Sequence, residues 1–252
     1  MKMQHPKLVS FSLAVFLLIS LAINYLGARA QTPTGNLIYF PIIFKWDSNL
    51  DISVCAPDAG PFSTEINHPY LPYPKGRVWV LKGVEDEEEL RVRITVLDNT
   101  EVVAGITTRV VEEREWEDNE LIEVSRNFFV QAPDGTVCYY GEDVDIYEDG
   151  QVVSHDGAWR AGVGGNLPGI VMPAKPMAGH IYAQEVAPGI AEDQAKIVAI
   201  GETVTVPAGT FTNTLRTRET TPLEPGSVSI KRYAPGVGLI VDDVVKLISV
   251  TN

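Results

Sequence analysis

The chain has 252 residues, 45% of them hydrophobic, and carries 33 Asp plus Glu against 20 Lys plus Arg, a formal charge of −13 at neutral pH. A field of that sign repels phosphate backbones and anionic lipid surfaces, which argues against nucleic acid as a partner and favours solubility and cations. The length suits one large all-β domain or two small ones.

Residues 1–30 differ in kind from the rest. Lys2, His5 and Lys7 precede an apolar run from Leu8 to Ile23, which ends at Ala28-Arg29-Ala30. A basic start, a short apolar middle and a small-x-small end make a secretory signal peptide, cleaved after Ala30, and leave no transmembrane span after cleavage. Cleavage removes Lys2, Lys7 and Arg29 and no acid, so 33 acids face 17 bases and the charge becomes −16. Export places Cys55 and Cys138 where thiols oxidise, and two cysteines permit one pairing; a disulfide is the natural reading, with two separate thiols the alternative.

Residues 31–75 read as an extended, Pro-rich lead-in laid on the surface. Asn36 to Lys45 is apolar and β-prone but is interrupted by Pro41, which suits only an edge strand or a docked arm. Pro57, Pro61, Pro69, Pro72 and Pro74 follow. From there 76–252 reads as a single antiparallel β domain. Val78 and Val80 alternate with Arg77 and Trp79; Val92, Ile94 and Val96 alternate with Arg91, Arg93 and Thr95. That is a hairpin with one buried face. Asp98-Asn99 is expected to start a strand from Glu101 to about Trp116 that bends or bulges near Gly105. Leu121 to Val130 is the next strand, with Ile122, Val124, Phe128 and Val130 on one face.

Asp118-Asn119, Asp134-Gly135, Asp149-Gly150 and Asp156-Gly157 are dipeptides that take the positive φ of tight hairpins. Beyond His155 the rhythm slackens: Ala161 to Gly169 is glycine-rich but lacks the spacing of a phosphate-binding loop. Strands return over Ile197–Val206, Phe211–Thr221, Val228–Tyr233 and Leu239–Val250. The one helix candidate is a short turn from Ala191 to Lys196.

Asn67 to Val80 with its Pro-Tyr-Leu-Pro centre, Glu112-Glu-Arg-Glu-Trp116, Gly141-Glu-Asp-Val-Asp145, Gly157-Ala-Trp-Arg-Ala161, Tyr182-Ala-Gln-Glu185, Val206-Pro-Ala-Gly-Thr-Phe211 and Tyr233-Ala-Pro-Gly-Val-Gly-Leu239 occur in this order. Together they resemble a family of uncharacterised secreted bacterial proteins over about residues 67–242, a resemblance that brings no activity. The last two motifs also look like the ending of envelope proteins with a lipoprotein-carrier-like curled sheet, an analogy of fold only. Cys138 stands where the family carries an aromatic, and the resemblance implies that the segment around Cys55 supplies its partner. The fold class expected is all-β, an antiparallel curled sheet or sandwich, half-barrel-like, with few or no helices.

Among candidate sites, Glu142 to Asp149 is the most acidic. If residues 142–147 are extended, Asp143 and Asp145 share a face, and two carboxylates one pleat apart suit Ca²⁺. The EF-hand pattern fails, because Tyr147 stands at the fifth position and Glu148 where the loop glycine belongs. A hydrolytic acid pair could be drawn from Glu113, Glu115, Asp143 and Asp145, which is the alternative reading, a carbohydrate-active hydrolase. No Gly-x-Ser-x-Gly occurs, and Ser154-His155-Asp156 are contiguous and cannot form a triad among themselves. Trp116, Tyr140, Trp159 and Tyr182 are candidates to line a pocket for a small-molecule, lipid or glycan ligand. The expectation is a secreted, non-catalytic binding or envelope-associated module with no catalytic residue assigned.

Overall fold

A computed structural model describes residues 50–251. The expected signal peptide, residues 1–30, and the apolar segment around Pro41 lie outside the described residues. After two short 3-10 turns, Ile52–Cys55 and Pro57–Ala59, the chain forms a small hairpin of β1 (Ile66–His68) and β2 (Leu71–Tyr73). Five longer strands follow: β3 (Val78–Glu85), β4 (Glu88–Val103), β5 (Ile106–Glu117), β6 (Glu120–Gln131) and β7 (Val137–Glu148). Three short strands then return to β7: β8 (Gln151–Ser154), β9 (Trp159–Arg160) and β10 (Gly169–Met172). The last third gives β11 (Ile181–Ala183), β12 (Gln194–Val206), β13 (Gly209–Thr220), β14 (Ser229–Ala234), β15 (Gly238–Asp242) and β16 (Val245–Thr251).

All but β1 and β2 belong to one antiparallel sheet of 14 strands, in the order β10-β7-β6-β5-β4-β3-β16-β15-β14-β13-β12-β11, with β8 and β9 also on β7. The sheet is not closed into a barrel, but it curls until its ends meet. A bridge joins Leu167 to Val186, and a Cβ placed on Gly169 would lie 2.1 Å from the carbonyl oxygen of Gln184. Among the described residues there is no α-helix, and no helix is long and apolar enough to cross a membrane.

Local chemistry explains the hairpins. Asp118 and Asn119 have φ of 47° and 70°, and Asp149 and Gly150 have 51° and 74°, the left-handed pairs that match the twist of the flanking strands. The expected bend near Gly105 is a full reversal. Ala104 (φ 50°) and Gly105 (φ 78°) form the turn between β4 and β5, while Asp98-Asn99 lies inside β4, where the register with β5 shifts between Val96 and Thr100. The single strand expected over Leu239–Val250 is two, reversed at Asp243 (φ 48°). Residues 191–196 form no helix: Ala191 bridges Ala187, and β12 begins at Gln194.

The lead-in is less peripheral than its prolines suggest. Cys55, Ile66, Leu71 and Tyr73 join the main core, because short strands need few ladder hydrogen bonds and still aim alternate side chains inward. On β3 the buried residues are Trp79 and Leu81, so Val78 and Val80 face outward, opposite in sense to Val92, Ile94 and Val96. One continuous core results, from Trp79 and Leu81 through Phe129 to Leu215, Tyr233 and Leu247.

Candidate functional site

The pairing of β5, β6 and β7 decides which side chains face inward. Glu113 stands opposite Ser125, Glu115 opposite Glu123, and Asn127 opposite Glu142. All six are buried. From the other half of the sheet come Glu185, Asp193, Glu219 and Asp242, also buried, and Lys231, which is 1% exposed. Lys231 Nζ lies 3.4 Å from Glu219 Oε2 and 3.5 Å from Asp242 Oδ2. Among the described residues this interior holds eight buried carboxyl groups and one buried lysine, which pairs with Glu219 and Asp242. The other fully buried cation, Arg109, is spent on backbone carbonyls of Thr64, Leu97, Asp98 and Asn99.

Burial of this many acids shifts their protonation. Desolvation, followed by the field of neighbouring acids, holds Glu115, Glu142 and Glu185 well above the usual carboxylate range; Glu123 is raised by burial and by Glu113. Glu113 is raised by burial, against the pull of Lys231. Asp242 is pushed up to about 8 by burial, again opposed by Lys231. Burial works against the Lys231 ammonium, yet Asp242 and Glu219 hold its pKa well above the ordinary lysine value. The Glu142 carboxyl lies beside the Tyr139 hydroxyl and Glu185 beside the Trp159 indole, neither in good hydrogen-bond geometry. This layer reads as protonated carboxyls around a charged centre, since ionising all of them in a dry interior is prohibitive.

Asp143 and Asp145 share the outer face, as strand alternation implies, but each faces an arginine. Arg160 Nη2 and Nε contact Asp143 at 2.6 and 3.1 Å, and Arg126 Nη1 reaches Asp145 at 3.1 Å, with His155 Nδ1 also 3.1 Å away. Among the described residues no group of three or more His, Cys, Asp or Glu side chains is placed to hold a metal ion. The four acids named for a hydrolytic pair are split by the sheet, with Glu113 and Glu115 inside and Asp143 and Asp145 outside. His68 is buried between the Tyr70 amide and the Pro173 carbonyl, remote in role from any triad.

The four aromatic candidates do not gather around one cavity. Tyr140 is buried beside the disulfide, its hydroxyl donating to the Cys55 carbonyl at 2.7 Å. Trp159 stacks edge-on against Tyr139 within the core. Tyr182 is fully buried near Glu219 and Lys231. Only Trp116 faces outward. It borders a groove of about 360 Å³ lined by Val78, Val80, Arg91, Arg93, Trp116 and Thr251.

The groove spans β16, β3, β4 and β5. Lys246, Lys82, Arg91 and Trp116 are direct cross-strand neighbours in one row, and Val80, Arg93 and Arg114 in the next. The Arg91 guanidinium lies over the Trp116 ring, 4.1 Å from its centroid. Lys82 is neutralised by Glu89 at 2.7 Å and Arg114 by Glu112 at 2.7 Å. Arg126, Arg160, Arg216 and Arg232 also have carboxylate partners. Among the described residues Arg91 and Arg93 make no ion pair, and Arg91 Nε is buried without a hydrogen-bond partner. A broader depression of about 730 Å³ near Glu202 and Lys246 differs, because its Arg232 is held by Glu202 at 2.6 Å.

The chain matches no family model, no curated protein and no solved structure. The site therefore rests on geometry. Sequence reasoning named Trp116 but missed Arg91 and Arg93, which it placed only as the polar side of a hairpin. The available signal was Arg91 and Arg93 at alternate positions of one strand in a strongly acidic chain.

Proposed function

We propose that this chain is an exported, non-catalytic binding module of the cell envelope or exterior. The observation that supports it best is the groove at Trp116, where an aromatic ring and two arginines without ion-pair partners among the described residues are held on adjacent strands of a continuous ladder. Side chains fixed on strands present a preorganised surface, which lowers the entropy lost on binding. The Cys55–Cys138 disulfide favours an oxidising compartment, in keeping with the signal-peptide reading and with the resemblance to secreted bacterial proteins.

The test is an immobilised panel of glycans, lipids and small anions, with retention and chemical conversion read on the same ligands. A binding module retains a ligand and returns it unchanged. Conversion of any retained ligand would instead support the hydrolase reading, and retention of nothing would remove the binding role.

A further inference from the structure

We propose that the Trp116 groove is a subsite for an acidic saccharide, a pyranose ring bearing a carboxylate; this rests on the binding role proposed above and names its ligand class. Charge sets the sign of the ligand. Among the described residues, the ionisable side chains lining the groove are Arg91 and Arg93, with no acid beside them in its lining. The neighbouring bases Lys82 and Arg114 are held by Glu89 and Glu112. Arg91 and Arg93 stand two residues apart on β4 and point to the same side of the sheet, which places two guanidinium groups side by side at the groove. In a chain of net charge −13, a local patch of this sign is a departure from the background field.

Shape and chemistry set the rest. A guanidinium fork matches a planar carboxylate with two parallel hydrogen bonds, and Arg93 is exposed with its charge unpaired. The indole of Trp116 and the methyls of Val78 and Val80 make an apolar floor beside those forks. A floor of that kind accepts the C–H face of a sugar ring, and Thr251 also lines the groove. About 360 Å³ suits a sugar unit or two rather than an acyl chain, and the groove is open instead of tunnel-like, which disfavours a lipid tail.

The probe is trigalacturonate, with its fully methyl-esterified form as the uncharged counterpart, titrated into the purified full chain and read by calorimetry and tryptophan fluorescence. The expected result is binding of the acid with a millimolar or lower Kd, weakened by added salt, and none by the ester. Arg93→Gln should weaken binding by about tenfold or more, the loss of one charge-assisted fork. Trp116→Ala should abolish the fluorescence change. Arg93 is exposed on its strand, so its replacement tests the site even if Trp116→Ala unfolds the sheet. No binding of the acid, or equal binding by wild type and Arg93→Gln, overturns the proposal. Binding of ester and acid alike, lost in Trp116→Ala, overturns the acidic ligand class and leaves the binding role. Cleavage of the trimer overturns the non-catalytic reading itself.

Discussion

Lys231 and Asp242 face each other in register across β14 and β15, Nζ 3.5 Å from Oδ2, with 1% and 3% of their surfaces exposed. Glu219 stands 3.4 Å from the same ammonium. An interior with one such cation and eight carboxyl groups is stable only if most of the acids keep their protons.

That arrangement fixes a pH dependence. Asp242 is raised to about 8, and Glu115, Glu123, Glu142 and Glu185 are raised well above the usual range, burial being the first cause in each. Between the ordinary carboxylate pKa and the raised one, the folded chain holds protons that the unfolded chain has released. Stability therefore falls as pH rises through that window, by about 1.4 kcal/mol per pH unit for each such group. The melting temperature should drop steadily from pH 5 to pH 8, and Glu142→Gln with Glu185→Gln should flatten the slope. A stability maximum at pH 8 in the wild type would sink this account.

Removing the cation should be worse than removing an acid. Lys231→Met leaves Glu219 and Asp242 without their counter-charge, and breaking a buried pair in this way costs about 3–5 kcal/mol. The loss should shrink at pH 5, below the raised pKa of about 8 at which Asp242 gives up its proton, so urea unfolding at pH 5 and pH 8 is the measurement. An equal loss at both values would mean that Lys231 acts through packing alone.

The outline of the sheet was legible because hairpin chemistry is local. Asp118-Asn119 and Asp149-Gly150 announce their turns in two residues each, and the structure has reversals at both. Which side of β5 to β7 faces inward was not legible. Glu113, Glu115 and Glu123 are buried, and so, on the opposite side of β6, are Val124 and Phe128. There Arg160 covers Phe128, its guanidinium 4.6 Å from the ring centroid. A polar interior inverts the binary pattern, and only long-range pairing decides the matter. For the same reason Arg91 and Arg93 looked like an ordinary solvated face: their lack of carboxylate partners depends on where Glu89 and Glu112 went.

The strand start expected at Asp98-Asn99, which lies inside β4, was misplaced for a similar reason. Arg109, 1% exposed, donates from Nη1 to the carbonyls of Leu97, Asp98 and Asn99 at 3.1–3.3 Å and from Nε to Thr64 at 3.2 Å. It carries the irregular stretch of β4 that would otherwise open as a turn. Arg109→Met should lower stability by about 3 kcal/mol or more, since several buried carbonyls lose a charged donor. Arg109→Lys should not rescue it, because an ammonium cannot span the same fork. The check is chemical unfolding with limited proteolysis near residues 97–100; a loss under about 1 kcal/mol would show that water replaces the guanidinium adequately.

Gly169 marks where the ends of the sheet meet. A Cβ there would stand 2.1 Å from the Gln184 oxygen and 2.5 Å from its carbon, both backbone atoms that cannot rotate away. Gly169→Ala should destabilise by about 1–3 kcal/mol through overpacking and speed hydrogen exchange at Leu167, whose amide donates to Val186. Gly150→Ala is the control: its φ is +74° but nothing lies within 4 Å, so it should lose only about 1–2 kcal/mol of backbone strain and leave the Leu167 amide protected. Unchanged exchange at Leu167 in Gly169→Ala would show that the two ends do not depend on this approach.

The disulfide joins the 3-10 turn Ile52–Cys55 to β7 at Cys138, with Cα atoms 5.6 Å apart and a sequence separation of 83. Because it closes so long a loop, the chain-entropy model gives roughly 4–5 kcal/mol as an upper figure. The Tyr140 hydroxyl bonding to the Cys55 carbonyl is a second tie between the same two segments, so cutting the first does not release the turn completely. Cys55→Ala with Cys138→Ala should therefore lose about 2–4 kcal/mol in urea unfolding, and adding Tyr140→Phe should lose about 1 kcal/mol more by leaving a carbonyl unpaired. Both cysteines are fully buried, so native protein should resist alkylation after mild reductant and react only once unfolded and reduced. Two thiols alkylated in unfolded, unreduced material would rule out the bridge, and a double variant as stable as the wild type would rule out its role in holding the N-terminal turn to the sheet.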